Sequence, residues 1–304
     1  MRNIRQIILP VFLVMMLFLL TGCSSANTDG PIQGFSGFMD LFVWPMAGLM
    51  YGLGKTIAFG NYALVIFFAT IIVRTLAWPI YSKTNDLSLK MQLVGPEQAK
   101  LQAKYEGKTD PESKQRMQME MMQLYKKFGI GIGGCLMPFV QMPIFLGFFS
   151  VIRRIPATSN IEGVPLDFGF LNHNILGVDL YADKGVMAWD NWQMWAVAIL
   201  AILVSVTQIF SQILINKRQT KMREEMNANT PTYRMPEKTD QQKQSEKMMK
   251  FMIYGMTIMM AVFVWTSPAA LGFYWLIGNT YSTVQSQIAY KKSSKRLETL
   301  KSRY

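Results

Sequence analysis

One stretch limits what this chain can become more than any other. Leu64 to Ile80, LVIFFATIIVRTLAWPI, is apolar enough for a membrane-crossing helix, yet Arg74 sits inside it. A charge at that depth costs at least ~2.5–3.5 kcal/mol on insertion scales, and such residues face a bundle interior or a watery cavity. Whatever the chain does has to make that burial tolerable.

Half of the 304 residues are hydrophobic. Several apolar runs approach the ~20 residues that a helix needs to cross the hydrocarbon core. The pattern is that of an all-α integral membrane protein, not a soluble enzyme. The net charge of +12 admits nucleic acid or anionic lipid as a partner. Cys23 and Cys135 lack metal-ligand spacing, and the single histidine, His173, reads as a loop residue. No cofactor is expected.

Residues 1–22 combine Arg2 and Arg5, an apolar run from Ile7 to Leu20 and a small-residue junction, the parts of a secretory signal. The ending Leu20-Thr21-Gly22-Cys23 resembles a bacterial lipobox. That likeness implies lipidation of Cys23 as the first mature residue; an uncleaved signal anchor is the alternative. Residues 23–60 begin with a polar tether, SSANTDG, and continue as an apolar stretch broken by glycines and Pro45. We read the latter as an amphipathic helix at the outer interface, with Phe38, Phe42, Trp44 and Tyr51 as aromatic anchors. A true span is the other reading.

Five spans are expected at about 61–81, 133–152, 192–216, 248–266 and 269–289. Residues 83–130 form a basic helical hairpin, broken at Gly107-Lys108-Thr109-Asp110-Pro111, whose second helix restarts with proline in its first turn. Met117, Met121, Leu124 and Phe128 share one face of it, either as hairpin packing or as an adaptable apolar surface. A polar loop is expected from Arg153 to Trp189. The segments after spans one and three and the tail 290–304 are basic, which places them in the cytosol and the amino terminus outside. A lipidated outer amino terminus requires the same orientation.

Three spans carry polar stripes: Thr70 and Arg74 on the first; Ser205, Gln208 and Gln212 on the third; Trp275, Asn279, Thr283 and Ser286 on the fifth. Gln141 on the second adds one more. Such groups do not face lipid cheaply, so the rows converge on one interior. They either glue helices together or line a wet groove around one fixed cation. No Asp or Glu occupies the core of any mature span, so Arg74 has no intramembrane acidic partner. An unpaired buried cation needs water or a visiting anion. Snorkelling of Arg74 to the cytosolic headgroups is the competing account.

Four stretches, IIVRTLAWPI, GPEQAKLQAKY leading to MMQLYKKFGI, GGCLMPFVQMPIF and PAALGFYWLIGNTYSTVQSQI, resemble the YidC/Oxa/Alb membrane protein insertases in their five-span lipoprotein form. The resemblance implies five helices around a hydrophilic groove that is open to cytosol and lipid and closed outside. Arg74 would be its charge and Thr70, Gln208 and Trp275 part of its lining, to which the polar stripes add Gln141, Gln212 and Asn279. It further implies that nascent membrane proteins are the substrates, inserted and folded alone or beside the Sec translocon. Ribosomes and targeting factors would bind hairpin 83–130 and tail 290–304, with anionic lipid competing for the tail. The alternative is a small-solute or anion transporter that uses Arg74 as a binding charge. It lacks the internal repeats and paired broken helices usual in carriers. An intramembrane hydrolase would need GxSxG or a histidine within a span, and both are absent.

Overall fold

The computed structural model describes residues 30–35, 39–108, 110–130, 137–182, 192–227 and 240–301. Cys23 lies outside them. Within them the chain is eight helices and one two-stranded hairpin. It divides into two units, residues 1–65 with 140–173 and residues 66–139 with 174–304.

The first unit is organised around α1 (Asp40–Lys55) and the greater part of α5 (Met137–Thr158). Helix α1 buries Val43, Met46, Ala47, Met50 and Leu53, a stripe at helical spacing, while Leu41 and Gly48 face out. Gly147 of α5 comes so close that a Cβ there would stand 3.1 Å from the Phe42 carbonyl oxygen. Arg154 on α5 donates to Asp40 Oδ1 at 3.1 Å and to the carbonyls of Gly30 and Pro31 at 3.0 Å each. Thr158 Oγ1 accepts from the Ile32 N–H at 3.0 Å. The segment after the sequence-read tether is thereby stitched to α5. Tyr51 meets Phe168 and Phe170 edge-on, so this aromatic packs against the following loop. The loop expected from Arg153 starts instead after Thr158, because α5 continues through both arginines. Asp167 then accepts from the Asn160 and Gly169 N–H groups at 2.9 and 2.8 Å, and these bonds hold its carboxyl below the usual range.

Helix α2 (Tyr62–Leu76), which belongs to the second unit from Ile66 on, turns at Ala77 into α3 (Trp78–Lys104), which has Pro79 in its first turn. The expected span 61–81 therefore covers two helices. Helix α4 (Pro111–Lys127) packs on α3 with antiparallel register: Lys104 pairs with Glu120 at 2.8 Å, Lys127 with Glu97 at 3.7 Å, and Lys90 reaches the Gly129 carbonyl at 3.1 Å. Asp110 caps α4 by accepting from the Ser113 N–H at 2.7 Å. Met117, Met121 and Leu124 are half-buried and Phe128 buried, whereas Met119 and Met122 are exposed.

A hairpin of β1 (Asn174–Ile175) and β2 (Val178–Asp179) turns through Leu176 and Gly177, both at positive φ. Its far strand is tied to α6 (Trp192–Asn227) and to α8 (Ala269–Lys301). Asp179 N–H donates to Gln193 Oε1 at 2.8 Å, and Gln193 Nε2 returns a bond to the Asp179 carbonyl at 2.6 Å. The Ala269 and Ala270 N–H groups donate to the Ala182 and Leu180 carbonyls, satisfying donors that a helix start leaves unpaired.

Helix α6 carries a 27-residue segment, Trp192–Arg218, of mean hydropathy 2.2. At 1.5 Å per residue it spans about 40 Å, enough to cross a bilayer. It is the one described helix that is long and apolar enough by itself; Tyr62–Leu76 and Thr257–Thr266 are shorter apolar stretches. Its outward face is Trp192, Trp195, Ile199, Ile202, Val206, Ile209 and Phe210. Helix α6 packs along α7 (Asp240–Thr266) and α8. Gly272 of α8 makes that approach possible: a Cβ there would lie 2.8 Å from Leu200 Cδ2 and 2.9 Å from Val264 Cγ1. Helices α5 to α8 each run past one end of the apolar stretch read from the sequence. A change from apolar to basic side chains alters a helix's surface without ending its backbone hydrogen bonds.

Candidate functional site at Arg74

Arg74 lies in the last turn of α2 and reaches one face of α8. Its Nη1 donates to Ser282 Oγ at 2.5 Å. The guanidinium lies across Gly278, where a Cβ would fall 2.6 Å from Nη2 and 3.2 Å from Cζ and Nε. Tyr274, one turn earlier on α8 and 3% exposed, also interacts with it. A serine hydroxyl accepts a hydrogen bond but neutralises no charge. Among the described residues no carboxylate meets Arg74, and its Nε is buried without an acceptor. The site thus holds a whole positive charge with donor capacity to spare.

The next residue of α2, Thr75, shares a hydrogen with the Tyr281 hydroxyl at 2.7 Å, and Trp78 meets the Tyr281 ring edge-on at 6.3 Å. These contacts brace α2 and the start of α3 against α8.

The other sequence-read residues are placed as follows. Thr70 is fully buried and donates to the Ile66 carbonyl at 2.6 Å. Trp275 is 5% exposed and packs edge-on against Phe263 of α7, with ring centroids 5.2 Å apart. Gln208 is half-buried on α6. Gln212, one turn on, donates to Asn216 Oδ1 at 3.3 Å. Asn279 follows Gly278 on α8, and its Nδ2 is buried with no acceptor. Gln141 belongs to α5, with its side chain outside the described residues. The structure therefore joins Arg74 to Gly278, Ser282 and Tyr274, three residues that the stripe analysis passed over. Stepping by four from Trp275 selects Asn279 and Thr283. The same step begun one residue earlier selects Tyr274, Gly278, Ser282 and Ser286, the face that Arg74 touches.

The family described as 60Kd inner membrane protein matches residues 53–296, which include every helix from α2 to the greater part of α8. This chain belongs to the YidC/Oxa family. Among YidC/Oxa relatives, the membrane protein insertase MisCA of Bacillus subtilis (strain 168) is 32% identical, over 93% of this chain and 90% of that one. Membrane protein insertase YidC 2 of Bacillus anthracis is 29% identical, over 92% of each chain. Membrane protein insertase YidC of Oceanobacillus iheyensis is 29% identical, over 92% of this chain and 94% of its own. The YidC/Oxa match covers Arg74, Gly278 and Ser282 together.

Proposed function

We propose that this chain is a membrane protein insertase and chaperone that receives nascent membrane proteins in a hydrophilic groove centred on Arg74. The carrying observation is the state of that arginine: half-buried, hydrogen-bonded to a neutral serine, and without a carboxylate among the described residues. A buried cation left unneutralised is a standing demand for an anion. An acidic residue in the polar outer segment of an entering protein meets that demand, and the attraction strengthens as local dielectric falls. Wetting by Arg74 and Gln208 shortens the dry path that the polar segment has to cross. The substrate's apolar helix then leaves for lipid between α6 and α8, driven by burial of its side chains in hydrocarbon. The outward apolar faces of both helices, Val206, Ile209 and Phe210 on one and Val284 and Ile288 on the other, suit such an exit.

In this reading Cys23 is lipidated, the amino terminus lies outside and the tail lies in the cytosol. Hairpin 83–130 and tail 290–304 receive ribosomes and targeting factors, and the Sec translocon is an occasional partner. The test is insertion of reporter proteins whose outer segments carry acidic or neutral residues. Arg74→Ala abolishes insertion of the acidic reporter, while Arg74→Lys retains much of it. Full activity in both variants would remove the groove charge. A cysteine at position 208 labels from the cytosolic side alone; labelling from both faces, or from neither, would refute a one-sided groove.

A further inference from the structure

A second arginine repeats the Arg74 arrangement one turn along α8. Arg218, near the end of the apolar segment of α6, donates from Nη1 to Ser286 Oγ at 2.7 Å, and its guanidinium stands 5.5 Å from the Tyr290 ring centroid. Ser282 and Ser286 are four residues apart on one helix, which separates them by about 6 Å along the axis. Like Arg74, Arg218 has a buried nitrogen, Nη2, without an acceptor, and no carboxylate pairs with it among the described residues. Two more orphaned donors lie on the same helix, Asn279 Nδ2 and Gln285 Nε2. Tyr274, Gly278, Ser282, Gln285, Ser286 and Asn279 all fall on the half of α8 opposite Thr280, Val284 and Ile288, which are exposed.

That half of α8 is thus rich in buried N–H groups that lack acceptors. Each buried donor left unsatisfied is destabilising, and more so when it belongs to a charged group. What answers such a surface is a guest that accepts hydrogen bonds and carries negative charge. A carboxylate does both, and it suits the planar fork of a guanidinium.

We infer that Arg218, with Ser286 and Tyr290, is a second carboxylate-receiving station of the groove, occupied by acidic side chains of the entering protein before or after they meet Arg74. The inference rests on the insertase reading above. Two stations about one helical turn apart let a carboxylate transfer from one cation to the next without passing through an uncompensated position. Arg218 is a positioning residue for substrate charge, and Ser286 holds its fork in place.

The experiment uses the full chain reconstituted in vesicles of zwitterionic lipid, with a parallel set containing an anionic phospholipid. Two single-span reporters differ only in having two Asp or two Asn in the outer segment. Arg218→Gln lowers insertion of the Asp reporter by about tenfold, the value of one lost charge-assisted hydrogen bond, and leaves the Asn reporter nearly unchanged. Arg218→Lys keeps an intermediate level. Lys217→Gln, which removes a neighbouring exposed cation, changes neither reporter. Equal loss on both reporters, or equal loss in the position 217 and 218 variants, would assign Arg218 to folding or orientation and overturn the proposal. A selective loss confined to vesicles with anionic lipid would assign the site to a lipid phosphate instead. If the unaltered chain inserts neither reporter above empty vesicles, the insertase reading itself falls, and the second station with it.

Discussion

At the scale of residues, Gly278 is the position at which the smallest change reaches Arg74. A methyl group there would press on Nη2 from 2.6 Å, so the guanidinium has to lift off α8 and leave Ser282. Gly278→Ala is expected to lower insertion of acidic reporters several-fold while the fold survives, because the obstructing atoms end a flexible side chain. Gly278→Val is expected to approach the Arg74→Ala phenotype, measured in the same assay. Arg74 was legible in the sequence because a charge in an apolar run has no cheap explanation. Gly278 was not, since a glycine in an apolar helix reads as close packing, which is what Gly272 supplies. Helical spacing put Thr70 on the Arg74 face, but spacing does not say where a hydroxyl turns, and this one turns to its own backbone.

At the scale of elements, helix positions were legible and their ends less so. Hydropathy reports where lipid begins and ends, whereas backbone hydrogen bonds continue into the basic segments. The hairpin's own chemistry gives it a pH limit. The Ser113 N–H holds the Asp110 carboxyl below its usual value, and the bond from Lys104 does the same for Glu120. Groups with lowered folded-state pKa values stabilise above the ordinary carboxylate range and lose that contribution as pH falls through their folded values. Amide exchange in α4, corrected for intrinsic rate, should therefore quicken as pH drops below about 4. Asp110→Ala should quicken the first turn of α4 already at neutral pH. In the first unit, Arg154 and Asp40 form a pair whose side chains are 12% and 6% exposed, legible only once Arg154 is known to lie on a helix. Removing one partner of such a pair costs about 3–5 kcal/mol. Asp40→Ala should lower the Tm of the purified protein clearly, whereas Asp40→Asn, which keeps an acceptor for Arg154, should lower it less.

At the scale of the whole molecule, the sequence shows an uneven charge pattern and the structure shows its carriers. The basic residues after position 290 continue on the long helix α8, which runs to Lys301. Deleting residues 291–304 should reduce co-sedimentation with translating ribosomes, more at low salt than at high, because phosphate attraction weakens as salt rises. Loss of vesicle binding without loss of ribosome binding would identify anionic lipid as the tail's partner. The small hairpin was invisible to sequence reading, since two-residue strands carry no periodicity, yet it clips the beginnings of α6 and α8 together through Gln193, Ala269 and Ala270. Two rods pegged at one end, and held at the other by the Arg218–Ser286 bond, part like the ribs of a fan once that bond lets go. A swing of about ten degrees would move Arg218 by roughly 6 Å while leaving Gln193, about 38 Å away, almost still. A cargo helix escaping sideways would meet the widest gap far from the clip and the tightest beside it.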